Sequence, residues 1–275
     1  DIGGTFTDFV IYSPVEPALQ RFKVLSTPSD PAKAVLQGLS QLPQHVSRHI
    51  VHGSTVATNA ILERKGARTA LITTSGFRDI LQIGRQDRPH LYDLFPELPT
   101  PLVPREGCLE MTERVDFQGN IVTPLQQDAI EPIVELLRSH DIQSVAVSFL
   151  FSFVNPLHER WVTNRLRDEG LFVTASSELL PEFREYERTS TTVVNAYVSP
   201  VLDTYLGRLE RDMRPTEFHI LQSNGGRISV EQARGQGVRS ILSGPAGGVV
   251  GARYLAGLAG FHRILTFDMG GTSTD

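Results

Sequence analysis

Asp1-Ile2-Gly3-Gly4-Thr5-Phe6-Thr7-Asp8 begins the chain, and a near copy, Asp268-Met269-Gly270-Gly271-Thr272-Ser273-Thr274-Asp275, ends it. The two copies share six of eight residues and lie 267 positions apart (268 minus 1). A match of this kind is typical of an internal duplication. The repeat therefore predicts two related halves, each of which contributes one such turn.

Each copy has the composition of a phosphate-binding turn. Two adjacent glycines allow a sharp bend that brings backbone amides against an anion, and hydroxyl side chains add donors. The candidate nucleotide contacts are Gly3, Gly4, Thr5, Thr7, Gly270, Gly271, Thr272, Ser273 and Thr274. Asp1 and Asp268 are candidate ligands for a hard cation such as magnesium. A single Gly-Gly-Thr would indicate only a hairpin turn, whereas two copies favour a polyphosphate gripped from both sides.

The composition is that of an ordinary globular protein, with 40% hydrophobic and 21% charged residues among 275. A net charge of −5 and the lack of a clustered basic run argue against nucleic-acid binding. No apolar stretch is long enough to span a membrane, and we expect no signal peptide. The single cysteine, Cys108, has no partner for an internal disulfide, so we expect a cytoplasmic location. The first copy lacks a preceding strand, so we also expect a piece of a longer protein, trimmed at both ends.

Strand and helix patterns alternate over most of the chain, which predicts an α/β fold with a mixed sheet flanked by helices. We expect strands near 9–12, 21–25, 50–52, 69–73, 144–149, 171–175, 218–222 and 264–267. We expect helices that begin at Pro31, Val56, Thr123, Asn155 and Glu185, with the last kinked or broken at Pro200. Prolines gather between 84 and 123, which predicts an irregular excursion with a short hairpin around 116–120.

Two further stretches carry candidate substrate contacts. Polar residues of His52-Gly53-Ser54-Thr55-Val56-Ala57-Thr58-Asn59 fall at a predicted strand end and in the first turns of a helix, where α/β folds place ligands. Helix capping explains one hydroxyl there but does not require His52, Thr58 and Asn59 as well as Thr55. Arg85 and Arg88 are candidates for binding a carboxylate or a phosphorylated intermediate, with exposed, solvated arginines as the alternative. The helix that Gly244 begins is crowded with small residues, and we expect a tight lobe-to-lobe crossing there, with phosphate binding by the amides near Gly244 as the alternative.

The repeat resembles the phosphate-1 and phosphate-2 hairpins of the superfamily that contains actin, the sugar kinases and the heat-shock ATPases. Longer stretches resemble the hydantoinase A / 5-oxoprolinase family, which also includes subunits of ATP-dependent acetone and acetophenone carboxylases. The matching strings are VHGSTVATNAILERKGARTALITTSGFRDILQIGRQ (51–86), LFSFVNPLHE (150–159), EYERTSTTVVNAYVSPVL (185–202) and SGPAGGVVGA (243–252). The run 88–94 resembles the hydantoinase branch more than the oxoprolinase branch.

The resemblance implies ribonuclease-H-like lobes of actin/sugar-kinase type, with residues 1–190 as the first lobe and 191–275 as the start of an incomplete second. It implies ATP- and magnesium-dependent hydrolysis of a cyclic amide, a hydantoin or 5-oxoproline, through phosphorylation of the carbonyl oxygen. Asp8 and Asp275 are then candidate catalytic residues, which either support the metal or orient the attacking group. The expected partner is a hydantoinase B-type subunit or fused domain within an oligomer. In this superfamily the adenosine-binding segment lies downstream, so we expect the fragment alone to be inactive.

Two alternatives stay open. The chain fits the ATP-using subunit of an acetone- or acetophenone-type carboxylase, which would activate bicarbonate or a ketone by phosphorylation. It also fits a nucleotide-gated binding module of heat-shock or actin type, in which ATP drives lobe closure without turnover of a small molecule.

Overall fold

The computed structural model describes residues 1–14, 19–27, 30–43, 49–87, 92–95, 99–213 and 217–269. Its strands are β1 Phe6–Tyr12, β2 Leu19–Leu25, β3 His49–His52, β4 Thr69–Thr74, β5 Cys108–Met111, β6 Arg114–Val115, β7 Ile121–Thr123, β8 Ser144–Ser148, β9 Phe172–Ala175, β10 Glu217–Leu221 and β11 Arg227–Ser229. Its α-helices are α1 Pro31–Ser40, α2 Val56–Leu62, α3 Ile80–Ile83, α4 Ile130–Ser139, α5 Leu157–Asp168, α6 Ser176–Leu179, α7 Glu185–Met213, α8 Val230–Gly235 and α9 Ser243–Leu258. The predicted α/β class with helices flanking mixed sheets is confirmed. None of the described helices is both long and apolar enough to cross a bilayer.

One compact unit consists of Asp1–Lys65 and Val201–Asp275. In it β10 pairs in parallel with β3 and antiparallel with β11, and β1 and β2 form a separate antiparallel hairpin. Its core joins Leu202, Leu206 and Leu209 of α7 with Phe218 and Ile220 of β10. Ile2, buried at 3% exposure, belongs to this core, so the start of the chain is fixed by apolar burial.

The other compact unit is Gly66–Pro200, with a parallel sheet in the order β5-β4-β8-β9. Every residue of β4 and β8 is buried, as expected for central strands covered on both faces. Helix α4 turns Ile130, Ile133, Val134 and Leu137 toward this sheet at the 3–4 spacing of a helical face. This alternation of strands and amphipathic helices is the pattern that the sequence predicts.

A buried polar network lies at the carboxyl ends of these parallel strands. Glu159, fully buried, accepts hydrogen bonds from the Phe149 amide at 3.0 Å and the Ser176 hydroxyl at 2.9 Å. Arg188, 1% exposed, donates to the Phe149 carbonyl at 2.8 Å and to Ser176 Oγ at 2.6 Å. Burial lowers the pKa of Arg188, and the Glu159 charge opposes that shift. The network therefore fixes two strand ends to helices α5 and α7.

Helix α7 continues through Pro200, so of the two predicted outcomes the break is wrong and the kink stays a prediction. A proline inside a helix removes one backbone hydrogen bond and costs about 3 kcal/mol or more. The cost is offset because residues on both sides are buried: Val193 and Ala196 in one unit, Leu202 and Leu206 in the other. Burial of each large apolar side chain contributes about 1.5–3 kcal/mol.

Three local predictions also need correction. The proline-rich excursion contains β5, which pairs in parallel with β4 and buries Cys108 and Met111. The helix expected from Thr123 begins only at Ile130, because Thr123 ends β7 and pairs with Arg114. Residues 264–267 are not assigned to a strand, and Leu265 is 96% exposed. An apolar run becomes a strand only when a neighbour supplies the ladder hydrogen bonds. The hairpin around 116–120 is confirmed between β6 and β7.

The two compact units have different bounds from the two lobes, 1–190 and 191–275, that the sequence predicts. That division stays a prediction about regions of the sequence.

Candidate functional site: a braced glycine turn

The first glycine motif folds as a tight hairpin turn. Ile2 pairs with Thr7 across the turn, the Asp8 amide donates to the Asp1 carbonyl at 2.8 Å, and the Gly3 amide donates to the Phe6 carbonyl at 3.0 Å. Gly4 and Thr5 form the exposed tip. Within the described residues, their two amides have no hydrogen-bond acceptor. The tip thus offers two backbone donors to an external anion.

Ser26, which the sequence interpretation missed, braces this turn from behind. Its hydroxyl donates to the Gly3 carbonyl at 2.8 Å and lies 3.0 Å from Thr7 Oγ1. Since the single Ser26 proton is used on Gly3, the Thr7 hydroxyl is the donor to Ser26. The Ser26 amide also donates to the Thr5 carbonyl at 2.9 Å. Thr7 is only 2% exposed, so its hydroxyl holds the turn and does not face solvent.

The Asp1 carboxylate lies against two other glycine-bearing segments of the same unit. A methyl group at Gly53, which follows β3, would lie 2.7 Å from Asp1 Oδ1, and one at Gly244, in the first turn of α9, would lie 3.9 Å from it. The Ile2 amide donates to the Gly53 carbonyl at 3.1 Å, and Ile2 pairs in parallel with Ser54. Glycine at position 53 is what allows the carboxylate to approach so closely.

Three of the predicted substrate contacts in the β3–α2 turn instead form hydrogen bonds that join this turn to the glycine motif and to α9. Thr55 Oγ1 donates to the Ile2 carbonyl at 3.1 Å and accepts from Asn59 Nδ2 at 3.3 Å. Thr58 Oγ1 accepts from the Leu242 amide at 3.0 Å, immediately before α9. Leu242 is left-handed, with φ of 58°. Thr55, Thr58 and Asn59 therefore hold the glycine turn and the start of α9 in place through hydrogen bonds.

His52 is buried directly behind this cluster. Its Nε2 lies 2.8 Å from the Tyr205 hydroxyl, which also bonds to the Ser54 side chain. Burial lowers the pKa of His52 to about 3, so the ring is neutral and Nε2 shares one hydrogen bond with the Tyr205 hydroxyl. Burial also raises the pKa of Tyr205, which keeps its hydroxyl a donor. At 5% exposure, His52 supports the turn from the interior.

The carboxylate of Asp8 is engaged at the edge of the hairpin. It lies 3.2 Å from Lys23 Nζ, its cross-strand neighbour, and both side chains are about half exposed. A surface pair of this kind contributes about 0–1 kcal/mol, so Asp8 can exchange Lys23 for another cation at small cost.

Arg85 lies in the other unit, at the edge of an open cleft between α3 and α7. Its Nε donates to Glu187 Oε1 at 2.8 Å, and the Arg85 side chain is 61% exposed. This ion pair with Glu187 raises the pKa of Arg85. Arg88 lies outside the described residues, as do Gly270, Gly271, Thr272, Ser273, Thr274 and Asp275. Asp268 is described and exposed.

Comparison with known proteins identifies the family. The profile described as Hydantoinase/oxoprolinase N-terminal region matches residues 1–170, and the profile described as Hydantoinase/oxoprolinase matches residues 188–275. The chain belongs to the hydantoinase/oxoprolinase family.

Three relatives of this hydantoinase/oxoprolinase chain are informative. Caprolactamase subunit alpha of Pseudomonas jessenii is 36% identical over 100% of the chain and 42% of the relative. The crystal structure of the ATP-dependent caprolactamase from the same organism superposes with a TM-score of 0.84, at 35% identity over 99% of the chain and 42% of that structure. The nucleotide-free structure of acetone carboxylase, from work on ATP-dependent acetone carboxylation, superposes with a TM-score of 0.87 at 29% identity over 98% of the chain and 42% of that structure. 5-Oxoprolinase 1 of Arabidopsis thaliana is 35% identical over 100% of the chain and 25% of the relative. The chain thus spans less than half the length of these relatives.

The family assignment confirms the predicted resemblance, and the actin-like ATPase fold type is shared with the structural neighbours. Among the described residues there is no group of three or more histidine, cysteine, aspartate or glutamate side chains spaced to hold a metal. Asp1 is one candidate ligand, and its carboxylate packs so closely against the Gly53 backbone that a Cβ there would lie 2.7 Å from Oδ1. A hydrated hard cation held by one or two carboxylates fits such a site better than a fully protein-coordinated ion does.

The lobe-to-lobe crossing that the small residues of α9 predict stays a prediction. Val249, Val250, Tyr254 and Leu255 on this helix are each at least 50% exposed. The small residues at its start instead border the site: Gly244 faces the Asp1 carboxylate, and Ser243 Oγ donates to the Ser54 carbonyl at 3.4 Å.

Proposed function

We propose that this protein uses ATP to hydrolyse a cyclic amide of the hydantoin or 5-oxoproline type by phosphorylating its carbonyl oxygen. The observation that carries the proposal is the glycine turn itself. Among the described residues its Gly4 and Thr5 amides have no internal acceptor, the Ser26 hydroxyl and the buried Thr7 hydroxyl brace it, and the Asp1 carboxylate lies at its start. ATP-dependent relatives such as caprolactamase support it.

In this proposal the turn Gly3-Gly4-Thr5 binds the phosphates directly, and Thr7 acts through Ser26. The second motif, Gly270-Gly271-Thr272-Ser273-Thr274, would bind the same triphosphate from the other side. A turn that is ordered before the anion arrives loses little entropy on binding, which is why bracing matters. Thr55, Thr58 and Asn59 would keep the turn, α2 and α9 in register, while His52 keeps the strand end in place from the interior.

Asp1 and Asp268 would hold a magnesium ion, since carboxylate oxygens beside phosphate are its usual ligands. The ion would neutralise phosphate charge during transfer. Asp8 and Asp275 would support that ion or orient the attacking group. Asp8 fits this role because its Lys23 partner is exposed and readily exchanged.

The chemistry follows from the poor reactivity of an amide carbon. Transfer of the γ-phosphoryl group of ATP to the amide oxygen breaks the bond to ADP and leaves the carbon electrophilic. Water then adds to that carbon, the ring C–N bond breaks with its electron pair and a proton going to nitrogen, and a second water releases phosphate. For such a transfer the protein supplies positioning and charge stabilisation, which backbone amides and carboxylate-held cations provide.

The decisive experiment measures ATP hydrolysis by the complete protein together with its partner subunit. We expect hydantoin, 5-oxoproline or caprolactam to increase the rate and to be opened in equal amount to the ADP formed. ATP hydrolysis that no cyclic amide increases, and that a polypeptide does, would contradict the proposal and favour a nucleotide-gated binding module.

A second candidate is the ATP-using subunit of a carboxylase. The superposition on acetone carboxylase, with a TM-score of 0.87, favours it. In that case acetone or acetophenone together with bicarbonate, and no cyclic amide, would increase ATP hydrolysis. The same assay therefore separates the two reactions.

The assembly is proposed on the same basis. A relative named as an alpha subunit implies at least one companion subunit in that enzyme. We expect a hydantoinase B-type subunit or fused domain in this protein too, within an oligomer in the cytoplasm. Residues 1–275 alone are expected to be inactive. The complete chain together with its hydantoinase B-type partner should be active.

A further inference from the structure

An open cleft of about 750 Å³ lies wholly within the unit Gly66–Pro200. One wall is α3 with the turn that follows it, and the other is the first two turns of α7. Its lining residues are Leu81, Gln82, Ile83, Gly84, Arg85, Gln86, Asp87, Pro99, Tyr186, Glu187, Ser190 and Thr191. The volume is within the range of small-molecule sites.

Arg85 and Glu187 lie side by side on the lining of this cleft, as a donor and an acceptor joined at 2.8 Å. Only Nε of Arg85 is hydrogen-bonded among the described residues, so both Nη groups remain available as donors. The turn that presents Arg85 is set by left-handed residues on both sides, Gly84 at φ 54° and Gln86 at φ 60°. Hydrogen bonds from its own amide and from Arg85 hold the pKa of Glu187 below its usual range. Glu187 is therefore an ionised acceptor at neutral pH.

The charge of the described lining disfavours an anionic ligand. Arg85 is the one cation among the described lining residues, and Glu187 already pairs with it. Asp87 adds a negative charge that has no ion pair among the described residues. The remaining polar groups, Gln82, Gln86, Tyr186, Ser190 and Thr191, are neutral donors and acceptors. A neutral, polar ligand suits this lining better than the carboxylate or phosphorylated intermediate that the sequence suggests for Arg85.

We propose that the cleft binds an uncharged cyclic amide edge-on, with its N–H donating to the Glu187 carboxylate and its C=O accepting from Arg85 Nη. This deepens the proposed function and rests on it. A small ring holds its amide bond cis, so N–H and C=O point to the same side and match an adjacent acceptor and donor. An open-chain secondary amide is trans, and its N–H and C=O point to opposite sides.

This geometry predicts how much more tightly the cleft binds a cyclic amide than an open-chain amide. The cis form of an ordinary secondary amide costs about 2.5–4 kcal/mol. An open-chain amide that adopts it to fit the pair should therefore bind about 50-fold or more weakly than a ring of the same size. N-methylation of the ring removes the donor to Glu187 and should cost about tenfold or more.

The test compares 2-piperidinone, N-methyl-2-piperidinone and N-ethylpropanamide, the last an open-chain amide with the same number of carbons as 2-piperidinone. Their dissociation constants are measured by NMR titration of the complete protein without ATP. We expect the dissociation constant of 2-piperidinone to be far lower than that of either other ligand. Arg85→Gln and Glu187→Gln should each weaken 2-piperidinone about tenfold or more, and the swap R85E/E187R should recover part of the loss. Arg68→Gln, which breaks the exposed pair with Asp141, is the matched control and should change nothing.

Equal affinity for the ring and the open-chain amide would overturn the inference, as would unchanged affinity in both cleft variants. The result is separable from the proposed function. Ring-stimulated ATP hydrolysis that the cleft variants leave intact refutes the cleft and retains the function. Ring binding that depends on Arg85 and Glu187, without any stimulated hydrolysis, retains the cleft and refutes the function.

Discussion

The close approach of Asp1 to Gly53 gives a prediction that separates activity from folding. Replacing Gly53 by alanine places a methyl carbon 2.7 Å from Asp1 Oδ1. Ordinary contact begins at 3.4 Å, so the carboxylate must move by about 0.7 Å (3.4 minus 2.7). Gly53 is not among the positive-φ glycines, so the backbone itself accepts alanine. The substitution therefore acts on the carboxylate, with the Leu221 side chain, 3.4 Å from the new carbon, as the other neighbour.

The two expected magnitudes differ strongly. Productive sites tolerate displacements of about 0.5 Å, and a 1 Å misplacement costs about 100-fold in rate. We therefore expect Gly53→Ala to lower kcat/KM for ATP hydrolysis by about 10- to 100-fold. Stability should change by less than about 1 kcal/mol, because Asp1 is exposed and alanine reduces the entropy of the unfolded chain.

The assay is steady-state ATP hydrolysis by the complete protein, paired with urea denaturation. Gly235→Ala is the matched control, since a methyl group there meets nothing within 4 Å, and it should leave both quantities unchanged. Normal kcat/KM in a folded Gly53→Ala variant would refute the role given to the Asp1 carboxylate.

Three further substitutions test the supporting structure. His52 titrates at about 3 when folded, against about 6.5 when unfolded, so below pH 6.5 the unfolded state binds more protons and stability falls with pH down to about 3. His52→Gln should flatten the slope of unfolding free energy in that window, by up to about 1.4 kcal/mol per pH unit, whereas exposed His140→Gln should not; equal slopes would contradict the burial argument. Ser26→Ala should raise KM for ATP about tenfold by loosening the Gly3 carbonyl and Thr7, with exposed Ser139→Ala as a control that leaves KM unchanged; an unaltered KM in both variants would remove Ser26 from the site. Arg188→Met should destabilise the protein by about 3–5 kcal/mol in urea because Glu159 stays buried without its countercharge, whereas exposed Arg160→Met should cost less than about 0.5; equal losses would show that the buried network is dispensable.

Local signals predicted much of the fold because they depend on neighbours in sequence. The Pro31 start of α1 and the alternation through 144–175 are such signals, and the structure has these elements close to the predicted bounds. Strand β5 was not predicted, because four residues in a proline-rich stretch show no periodicity. Only its pairing with β4 makes these residues a strand. The stretch 264–267 shows the converse: apolar composition without a ladder partner among the described residues leaves it without strand assignment.

The site was predictable in its glycines and not in its supports. Two adjacent glycines followed by threonine predict the turn from local sequence alone, because few other sequences allow that backbone conformation. Ser26 gives no such signal, since a serine 19 residues from Thr7 is joined to it only by the β1–β2 register. Tyr205 is still more remote, 153 residues from His52, and is aligned by the packing of α7. The sequence singles out the Thr7 and Thr55 hydroxyls as ligand contacts, and the structure gives both of them hydrogen bonds within the protein.

The account depends on one claim, that the turn Gly3-Gly4-Thr5 receives the phosphates of ATP. The most direct measurement is a structure of the complete protein with magnesium and a non-hydrolysable ATP analogue. We predict the β- and γ-phosphates within hydrogen-bond distance of the Gly4 and Thr5 amides, with Gly270-Gly271-Thr272 on the opposite side and the cation beside Asp1. A triphosphate bound away from this turn, with the Gly4 and Thr5 amides still facing solvent, would contradict the claim.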